Sequence, residues 1–354
     1  MKKTILAIAI PALFASAANA AVIYDKDGTN FDVYGRVQAN YYGESDNPNG
    51  LTEAHKGDAE LVGSSRLGWS GKVALNNTWA AIAKTEWQVA AENSDGSSKF
   101  QARKIWAGFD GGQNGKVIFG QDDTAFYDAI AATDIFNEWG SNGNYYDSRQ
   151  EGQVIYSNTF GGFSGKLSYQ TNDDTAVKIK DVGGDIKTTV FDKVKRNYAY
   201  AASAGYKFDF GLGMNAGYAY SDLETNDKAP VYNSGEKSEW ALSANYAING
   251  FYFAGMYTQG TLKNDTTGYK DEGRGYELAA SYNVDAWTFL TGYNFKEGKV
   301  GAQAAGASYK DQVDETLLGV AYAFTPKLTA YTEYKIQGID KMDDEFTVAL
   351  QYNF

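Results

Sequence analysis

The chain has 354 residues and a formal net charge of −12 at pH 7, with 44 acidic side chains against 32 basic ones. This acidic balance disfavours nucleic acid and anionic surfaces as partners, because like charges repel. Cysteine is absent, so disulfides cannot stabilise the fold. The 27 tyrosines and 19 phenylalanines, with only 4 prolines, favour many unbroken β-strands.

The first twenty residues have the pattern of a secretory signal. Lys2 and Lys3 precede an apolar run, Ile5–Phe14, and small residues lead to Ala20. We predict cleavage after Ala20, which leaves residues 21–354 as a single domain. Loss of the two lysines gives 32 − 2 = 30 basic residues against 44 acidic ones, a mature net charge of −14. No later stretch has about 18 consecutive apolar residues, so membrane-spanning helices are excluded.

Alternation of apolar and polar residues predicts β-strands along the mature chain. In Phe31–Tyr41 the odd positions are mainly apolar, and the even positions carry charged, amide or hydroxyl groups. Ser65–Leu75 and Phe346–Phe354 repeat this alternation. Alternation alone does not say which face is buried, because a soluble sandwich alternates as well.

The connections favour a closed barrel. Seven short joints with turn chemistry alternate with eight longer polar segments, and fifteen connections join sixteen strands. Short turns on one rim and long loops on the other are typical of a transmembrane barrel and not of a sandwich. The short joints are Asn76-Asn77, Gly111–Gly115, Gly161-Gly162, Asp209–Gly211, Asn249-Gly250, Asp285-Ala286 and Thr325-Pro326. The long segments are Gly43–Leu61, Asn93–Lys99, Gln121–Asp147, Thr171–Lys195, Asp222–Lys237, Gly260–Gly273, Lys296–Lys310 and Gln337–Asp343.

Aromatic residues cluster near the predicted strand ends, as they do in the girdles of membrane barrels. The preference of aromatic residues for strands explains any single one equally well. The clusters are Tyr41-Tyr42, Trp79, Trp106, Tyr252-Phe253 and Tyr331.

The long segment Gln121–Asp147 differs from the others. Within it, Ala125–Phe136 has small and apolar residues at three- and four-residue spacing, which predicts a short helix. An acidic, partly helical insertion is unusual in a chain of strands. Its acidic residues include Asp122, Asp123, Asp128, Asp134 and Glu138.

Charged residues also fall on the polar faces of predicted strands. Inside a water-filled barrel such charges are tolerated, whereas a lysine or arginine at the lipid midplane costs about 2–4 kcal/mol. We therefore expect them to face the lumen. Arg36 and Arg66 each lie on the polar face of their own strand. Lys84 and Glu86 share a polar face with Gln88, and Arg149 shares one with Glu151 and Gln153.

Little in the chain points to catalysis or to a metal. The one histidine, His55, lies in a predicted loop, and the sequence identifies no serine or carboxylate partner for it. Asp25–Gly28 resembles the start of a calcium loop but lacks the distal glutamate, so a turn explains it better. Loop acids such as Asp173-Asp174 and Asp343-Asp344 fit solvated charge better than a cation site. We predict no enzyme activity, no cofactor and no metal.

Several motifs together resemble the general diffusion porins of Gram-negative bacteria over the full length of the chain. The resemblance implies an all-β fold, a 16-stranded antiparallel transmembrane β-barrel whose third loop, about residues 121–147, folds inward. It also implies a homotrimer in the outer membrane, in contact with lipid and lipopolysaccharide. The motifs are Val22–Gly28 with Asp32–Arg36, Ser65–Trp69, Tyr127–Ala129 with Thr133–Ile135 and Asn137–Gly140, and Val348–Phe354.

The resemblance also assigns residues to roles. In this family, carboxylates of the third loop face a ladder of bases on the wall across a narrow slit. Tyr352 and Phe354 belong to the terminal signal that the outer-membrane assembly machinery reads. The acidic side is Asp134 and Glu138, with Glu86 as a further wall acid, and the basic side is Arg36, Arg66, Arg103 and Arg149.

Three positions complicate the assignment of these roles to this chain. If Arg103 faces the lumen, strict alternation turns Lys104 outward. Asn137 stands where the family commonly has proline, so the shape of the loop at this position does not follow from the resemblance. Gln121 stands where many relatives have an arginine that takes part in a latch between subunits.

The expected function is passive diffusion of small hydrophilic solutes and ions, filtered by size and charge. Opposed rows of charge set up a transverse field, and the mature net charge of −14 predicts a weak cation preference. No cofactor or energy source is implied. The alternative is a substrate-selective channel, with a secondary role as a receptor for phage or in adhesion.

Overall fold

The fold consists almost entirely of antiparallel β-strands. The computed structural model describes residues 20–45, 60–91, 100–171, 173–177, 179–180, 182–183, 194–225, 234–340 and 342–354. Within these ranges there are eighteen strands, one α-helical turn, α1 (Tyr127–Ile130), and one 3-10 turn, Gly112–Asn114. In the same ranges no helix is long and apolar enough to cross a membrane.

The first nine strands are β1 (Ala21–Lys26), β2 (Thr29–Ser45), β3 (Glu60–Ala74), β4 (Ala80–Ala90), β5 (Phe100–Asp110), β6 (Lys116–Asp122), β7 (Gln150–Phe160), β8 (Phe163–Gln170) and β9 (Asp173–Val177). The others are β10 (Val194–Lys207), β11 (Leu212–Thr225), β12 (Ser234–Ile248), β13 (Phe251–Asn264), β14 (Lys270–Val284), β15 (Trp287–Lys299), β16 (Lys310–Thr325), β17 (Leu328–Gln337) and β18 (Asp344–Asn353).

Sixteen of these strands close into a barrel, as predicted. Strands β2 to β8 pair in chain order, β8 pairs with β10, and β10 to β18 again pair in chain order. The last strand then pairs with β2, from Arg36 opposite Asn353 to Ser45 opposite Asp344, which closes the barrel. The other two strands are short additions, because β1 pairs with β2 and β9 with β10.

The first and the last described strands, β1 and β18, both pair with β2. Strand β1 pairs with the first residues of β2 through a hairpin whose loop residues, Asp27 and Gly28, have φ of 55° and 74°. Two positive φ angles are typical of a type I′ turn. The predicted turn over Asp25–Gly28 is therefore present but shorter, because Asp25 and Lys26 belong to β1. Further along β2, Gly35 exchanges backbone hydrogen bonds of 2.9 and 3.0 Å with Phe354.

The outer face of the wall is apolar, and the inner face is polar except where side chains such as Leu290 pack against apolar residues of a connecting segment. On β14, Leu278 is 55% exposed, whereas its neighbour Glu277 is fully buried. Phe289 on β15 is likewise exposed beside the buried Leu290. Large apolar side chains are exposed all around the barrel, a distribution that suits lipid and not water.

All seven predicted short joints connect consecutive strands. Because neighbouring strands are antiparallel, these joints lie on one rim and the longer connections on the other. Several long segments are overestimated because the strands continue into them. Gly260–Gly273 shrinks most, to residues 265–269, and Asp222–Lys237 shrinks to residues 226–233. His55 lies outside the described residues.

Candidate functional site

The connection between β6 and β7, residues 123–149, is the long segment that the sequence singled out. The predicted helix over Ala125–Phe136 is wrong in length, because α1 has only the four residues Tyr127–Ile130. The apolar residues of this stretch pack against the barrel wall. Phe126 and Ile130 are fully buried in a cluster with Met256 of β13. The three- and four-residue spacing of these apolar residues therefore reflects packing against strands and not a longer helix.

Buried glutamates of the wall hold the backbone of this segment. Glu277 of β14 accepts hydrogen bonds from Gly143 N at 2.8 Å, from Asn144 Nδ2 at 3.0 Å and from the Thr133 hydroxyl. Glu239 of β12 accepts one from the backbone of residue 145 at 2.9 Å. A loop buried in this way needs such partners, because unpaired backbone N–H groups are costly.

Glu333 of β17 does the same further along the segment. Its carboxylate accepts from Asn137 N at 2.7 Å, Asn137 Nδ2 at 3.0 Å and Glu138 N at 3.1 Å. A proline at position 137 has no N–H to donate. The departure from proline is therefore matched by a hydrogen bond that proline could not make.

Glu138, one of the two predicted loop carboxylates, is fixed by donors of the wall. Gln38 Nε2 and Asn40 Nδ2 each donate at 3.0 Å, and the hydroxyl of Tyr42 donates at 2.9 Å. The hydroxyl of Tyr331 donates to the same carboxylate. These are neutral groups, so they position Glu138 without neutralising it.

Asp134, the other predicted loop carboxylate, is half-buried and accepts a hydrogen bond from the Tyr127 hydroxyl at 2.8 Å. Burial raises the pKa of this carboxyl, which lies between the strands, above its usual value. The Tyr127 hydrogen bond and the charges of Arg149 and Arg103 act in the opposite direction but are smaller.

The predicted basic residues lie around one cavity of about 800 Å³ inside the barrel. Arg36 donates to Gln351 Oε1 at 3.1 Å, and Arg66 donates to Gln88 Oε1 at 3.1 Å. Glu138 does not line this cavity. Six of the seven predicted filter residues do line it, namely Arg36, Arg66, Glu86, Arg103, Asp134 and Arg149.

Two bases are placed side by side in this wall. Arg36 of β2 lies directly opposite Arg66 of β3 in the strand register. Like charges in such a cross-strand pair destabilise a sheet. A wall selected for stability alone would avoid this pair, which is consistent with a functional role for the charges.

A β-bulge explains how Arg103 and Lys104 share the inner side. Glu86 pairs with Lys104 and Trp87 with Ala102, which leaves Arg103 as an extra residue of β5. The expectation that Lys104 points outward is therefore wrong, and its ammonium lies 2.6 Å from Asp122.

Gln121 supports the same bulge. Its side-chain amide donates to the carbonyl oxygens of Ala102 and Arg103 at 2.9 and 3.3 Å. Gln121, which stands where many relatives have an arginine of a subunit latch, thus has hydrogen-bond partners inside its own barrel wall.

Arg149 lines the cavity, but its predicted position on a strand is wrong. Arg149 precedes β7, which begins at Gln150, and it lies 3.9 Å from Asp123. Gly152 has a φ of 67°, which interrupts the alternation, and Glu151 is exposed and does not line the cavity. Arg149 and Glu151 therefore do not share the predicted face.

Sequence reasoning missed most of the groups that hold the segment. Tyr42, Tyr252 and Tyr331 fitted an outer girdle, yet their hydroxyls contact residues 132 and 138 of the segment. The wall glutamates Glu239, Glu277 and Glu333 were not singled out. The available signal was that each of these glutamates lies on the polar face of its strand, opposite an apolar or aromatic face.

Comparison with known proteins gives a consistent result. A family described as Gram-negative porin matches residues 6–338. Outer membrane porin N of Escherichia coli is 30% identical over 377 residues, which cover 99% of this chain and 96% of the relative.

Solved structures match the fold over nearly the whole chain. OmpF of Salmonella typhi in complex with daunomycin has a TM-score of 0.75 at 19% identity and covers 94% of this chain and 100% of its own. An anion-selective porin from Comamonas acidovorans has a TM-score of 0.70 at 16% identity and covers 92% and 100%.

Proposed function

The chain belongs to the family of Gram-negative porins, and on that premise we propose that the cavity beside residues 123–149 is the constriction of its channel. The protein is an outer-membrane porin, a multi-pass β-barrel that lets solutes through. Porins are passive channels, so these relatives confirm that it is not an enzyme.

In the proposed constriction, solutes are filtered by size and charge. The observation that supports this best is that Asp134 and four arginines line one cavity of about 800 Å³. Charges separated by less than the Debye length, about 8 Å at physiological salt, are poorly screened. The resulting field orients dipolar solutes and disfavours apolar ones, which must displace ordered water.

We propose a weak cation preference, as the mature charge of −14 implies. Glu138 and the wall glutamates add negative charge close to the cavity. Carboxylates close to a solute path attract cations.

The charges that line the cavity favour a second candidate, a weak anion preference. Bases outnumber acids there by six to four. The bases are Arg36, Arg66, Arg103, Lys104, Arg149 and Lys180, and the acids are Glu86, Asp123, Asp134 and Asp285. One protein of similar fold is named as an anion-selective porin, so the fold alone does not fix the sign.

The reversal potential of the protein in planar bilayers under a salt gradient tests both candidates. The double variant Asp134→Lys with Glu138→Lys should move the potential toward anion selectivity, whichever sign the native protein has. The matched control, Asp27→Lys with Asp311→Lys, changes two exposed acids away from the cavity and should not. An unchanged potential in the first variant removes both carboxylates from the filter.

A substrate-selective channel is the alternative. Liposome swelling with solutes of graded size separates the two proposals, because size-ordered rates support general diffusion and one saturable solute supports selectivity. A secondary role as a phage or adhesion receptor predicts binding that survives closure of the channel.

Three further proposals concern partners. We propose a homotrimer, contact with lipopolysaccharide, and recognition of Tyr352 and Phe354 by the assembly machinery. The backbone hydrogen bonds between Phe354 and Gly35, where the barrel closes, support the last of these. Cross-linking of the protein in native outer membranes tests the trimer.

A further inference from the structure

A second segment packs against residues 123–149 and against the barrel wall. Its described residues, 179–180 and 182–183, precede β10, yet they contact a distant part of the wall. Gln312 of β16 donates to the carbonyl oxygen of Val182 at 3.1 Å. A Cβ at Gly273 of β14 would lie 2.9 Å from the same oxygen. Five strands, β11 to β15, separate β10 from β16, so residues 182–183 lie against a part of the wall far from the strand that follows them in the chain.

This second segment is fixed on the first. The backbone N–H of Lys180 donates to Asp147 Oδ1 at 2.6 Å, and Asp147 is itself paired with Lys237 of β12. Val182 is fully buried in an apolar cluster with Tyr145. Because Tyr145 and Asp147 both belong to residues 123–149, the two segments form one packed unit.

Lys180 places a positive charge in the same cavity as the proposed filter. It lines the cavity together with Asp134 and Arg149. Its ammonium donates to the amide oxygen of Asn144 at 3.4 Å, and among the described residues no carboxylate lies within 4 Å of it. Lys104, by contrast, is paired with two carboxylates. Among the described residues, Lys180 therefore has no direct ion-pair partner. Burial lowers the pKa of its ammonium, whereas the charges of Glu239, Glu277 and Asp147 act from farther away and favour the charged form.

We propose that Lys180 is a selectivity-determining residue of the channel, presented by a second inward segment that lies outside residues 123–149. Its ammonium repels cations and attracts anions in the solute path, and so lowers the cation-to-anion permeability ratio. This inference rests on the proposed channel function.

Lys180→Cys gives a direct test, because the native chain has no other thiol. The variant is reconstituted in planar bilayers under a salt gradient, and the reversal potential is read before and after an anionic methanethiosulfonate reagent. The label turns a neutral thiol into a negative charge, and relative to the native lysine it replaces one positive charge by one negative charge. If the permeating ion passes about one Debye length away, the labelled variant should have a permeability ratio about twofold above the native value. A cationic reagent of similar size should return the ratio to the native value.

The matched control is Lys310→Cys, an exposed position at the start of β16 that does not line the cavity. Its modification should leave the ratio unchanged. The proposal is overturned if labelled Lys180→Cys, verified by mass spectrometry, behaves like this control, or if the thiol does not react. Should Lys180→Cys fail to fold, Lys180→Gln should still raise the ratio, and an unchanged ratio overturns the proposal.

Failure of this inference is distinguishable from failure of the proposed filter. If the Asp134 and Glu138 variants shift the reversal potential and Lys180 variants do not, only the role of Lys180 is lost. A native protein that does not conduct removes the channel proposal itself.

Discussion

Arg103 Nε lies 2.6 Å from Glu86 Oε1, and this ion pair joins the extra residue of the β5 bulge to the neighbouring strand. The Arg103 guanidinium also reaches Gln88 at 3.2 Å, and Tyr34 donates to the other oxygen of Glu86 at 3.2 Å. Glu86 thus offsets positive charge in a wall that is otherwise rich in arginine.

We expect Glu86→Gln to lower the cation-to-anion permeability ratio, because Arg66 and Arg103 then lack their nearest counter-charge. Loss of a charged hydrogen-bond partner should also destabilise the barrel, by about 1–3 kcal/mol. Reversal potentials and denaturant unfolding measure the two effects. The control is Asp27→Asn, which removes an exposed pair 3.9 Å apart and should change neither.

On acidification, the cation-to-anion permeability ratio should fall at a higher pH than it would if only exposed carboxylates were titrated. Burial raises the pKa of Asp134, so its negative charge is present above the raised value and is lost as pH falls through it. Reversal potentials recorded from neutral pH downward should show this loss. In Asp134→Asn that part of the pH dependence should disappear; if the two curves coincide, Asp134 does not act on the permeating ions.

Glu277→Gln should loosen residues 123–149. The carboxylate accepts three hydrogen bonds from the segment, and each charged bond contributes about 1.5–3 kcal/mol. We expect noisier single-channel currents and faster uptake of large solutes in liposome swelling. The control is Glu60→Gln, at an exposed end of β3. Native noise and native size dependence in Glu277→Gln would show that this carboxylate does not hold the segment.

Phe354→Ala should reduce closure of the barrel. A Cβ at Gly35 would lie 2.5 Å from Cζ of Phe354, so the aromatic ring covers this glycine where the last residue meets β2. Loss of that contact should cost about 1–3 kcal/mol and lower the folded fraction in heat-modifiability gels. Phe324→Ala, which removes a ring exposed on the outer side of the barrel, is the control. Equal folded fractions would contradict the proposed role.

Much of the fold was predictable from the sequence, because the strand repeat is only two residues long and the turns between strands have local residue signals. Alternation in Phe31–Tyr41 and turn residues such as Asn249-Gly250 fixed the strand order and the sixteen-stranded barrel. The additions β1 and β9 were not foreseen, because short strands that pair only along part of a neighbour leave no distinct pattern.

The site was predictable in its members but not in its contacts. Strict alternation cannot locate the bulge at Arg103, since one extra residue reverses the parity of everything after it. The length of α1 depends on how Phe126 and Ile130 pack against strands far away in the chain. The roles of Glu277 and Glu333 likewise depend on which strand lies beside which part of the loop.

The carboxylates that hold residues 123–149 come from β12, β14 and β17, and further donors come from β2. The segment is therefore tied to widely separated points on the circumference of one closed sheet. If lateral pressure from the lipid makes that circumference oval, the points of attachment move apart or together and the segment moves with them. In the proposed channel, the area open to solutes would therefore follow the shape of the barrel, and so the state of the membrane around it.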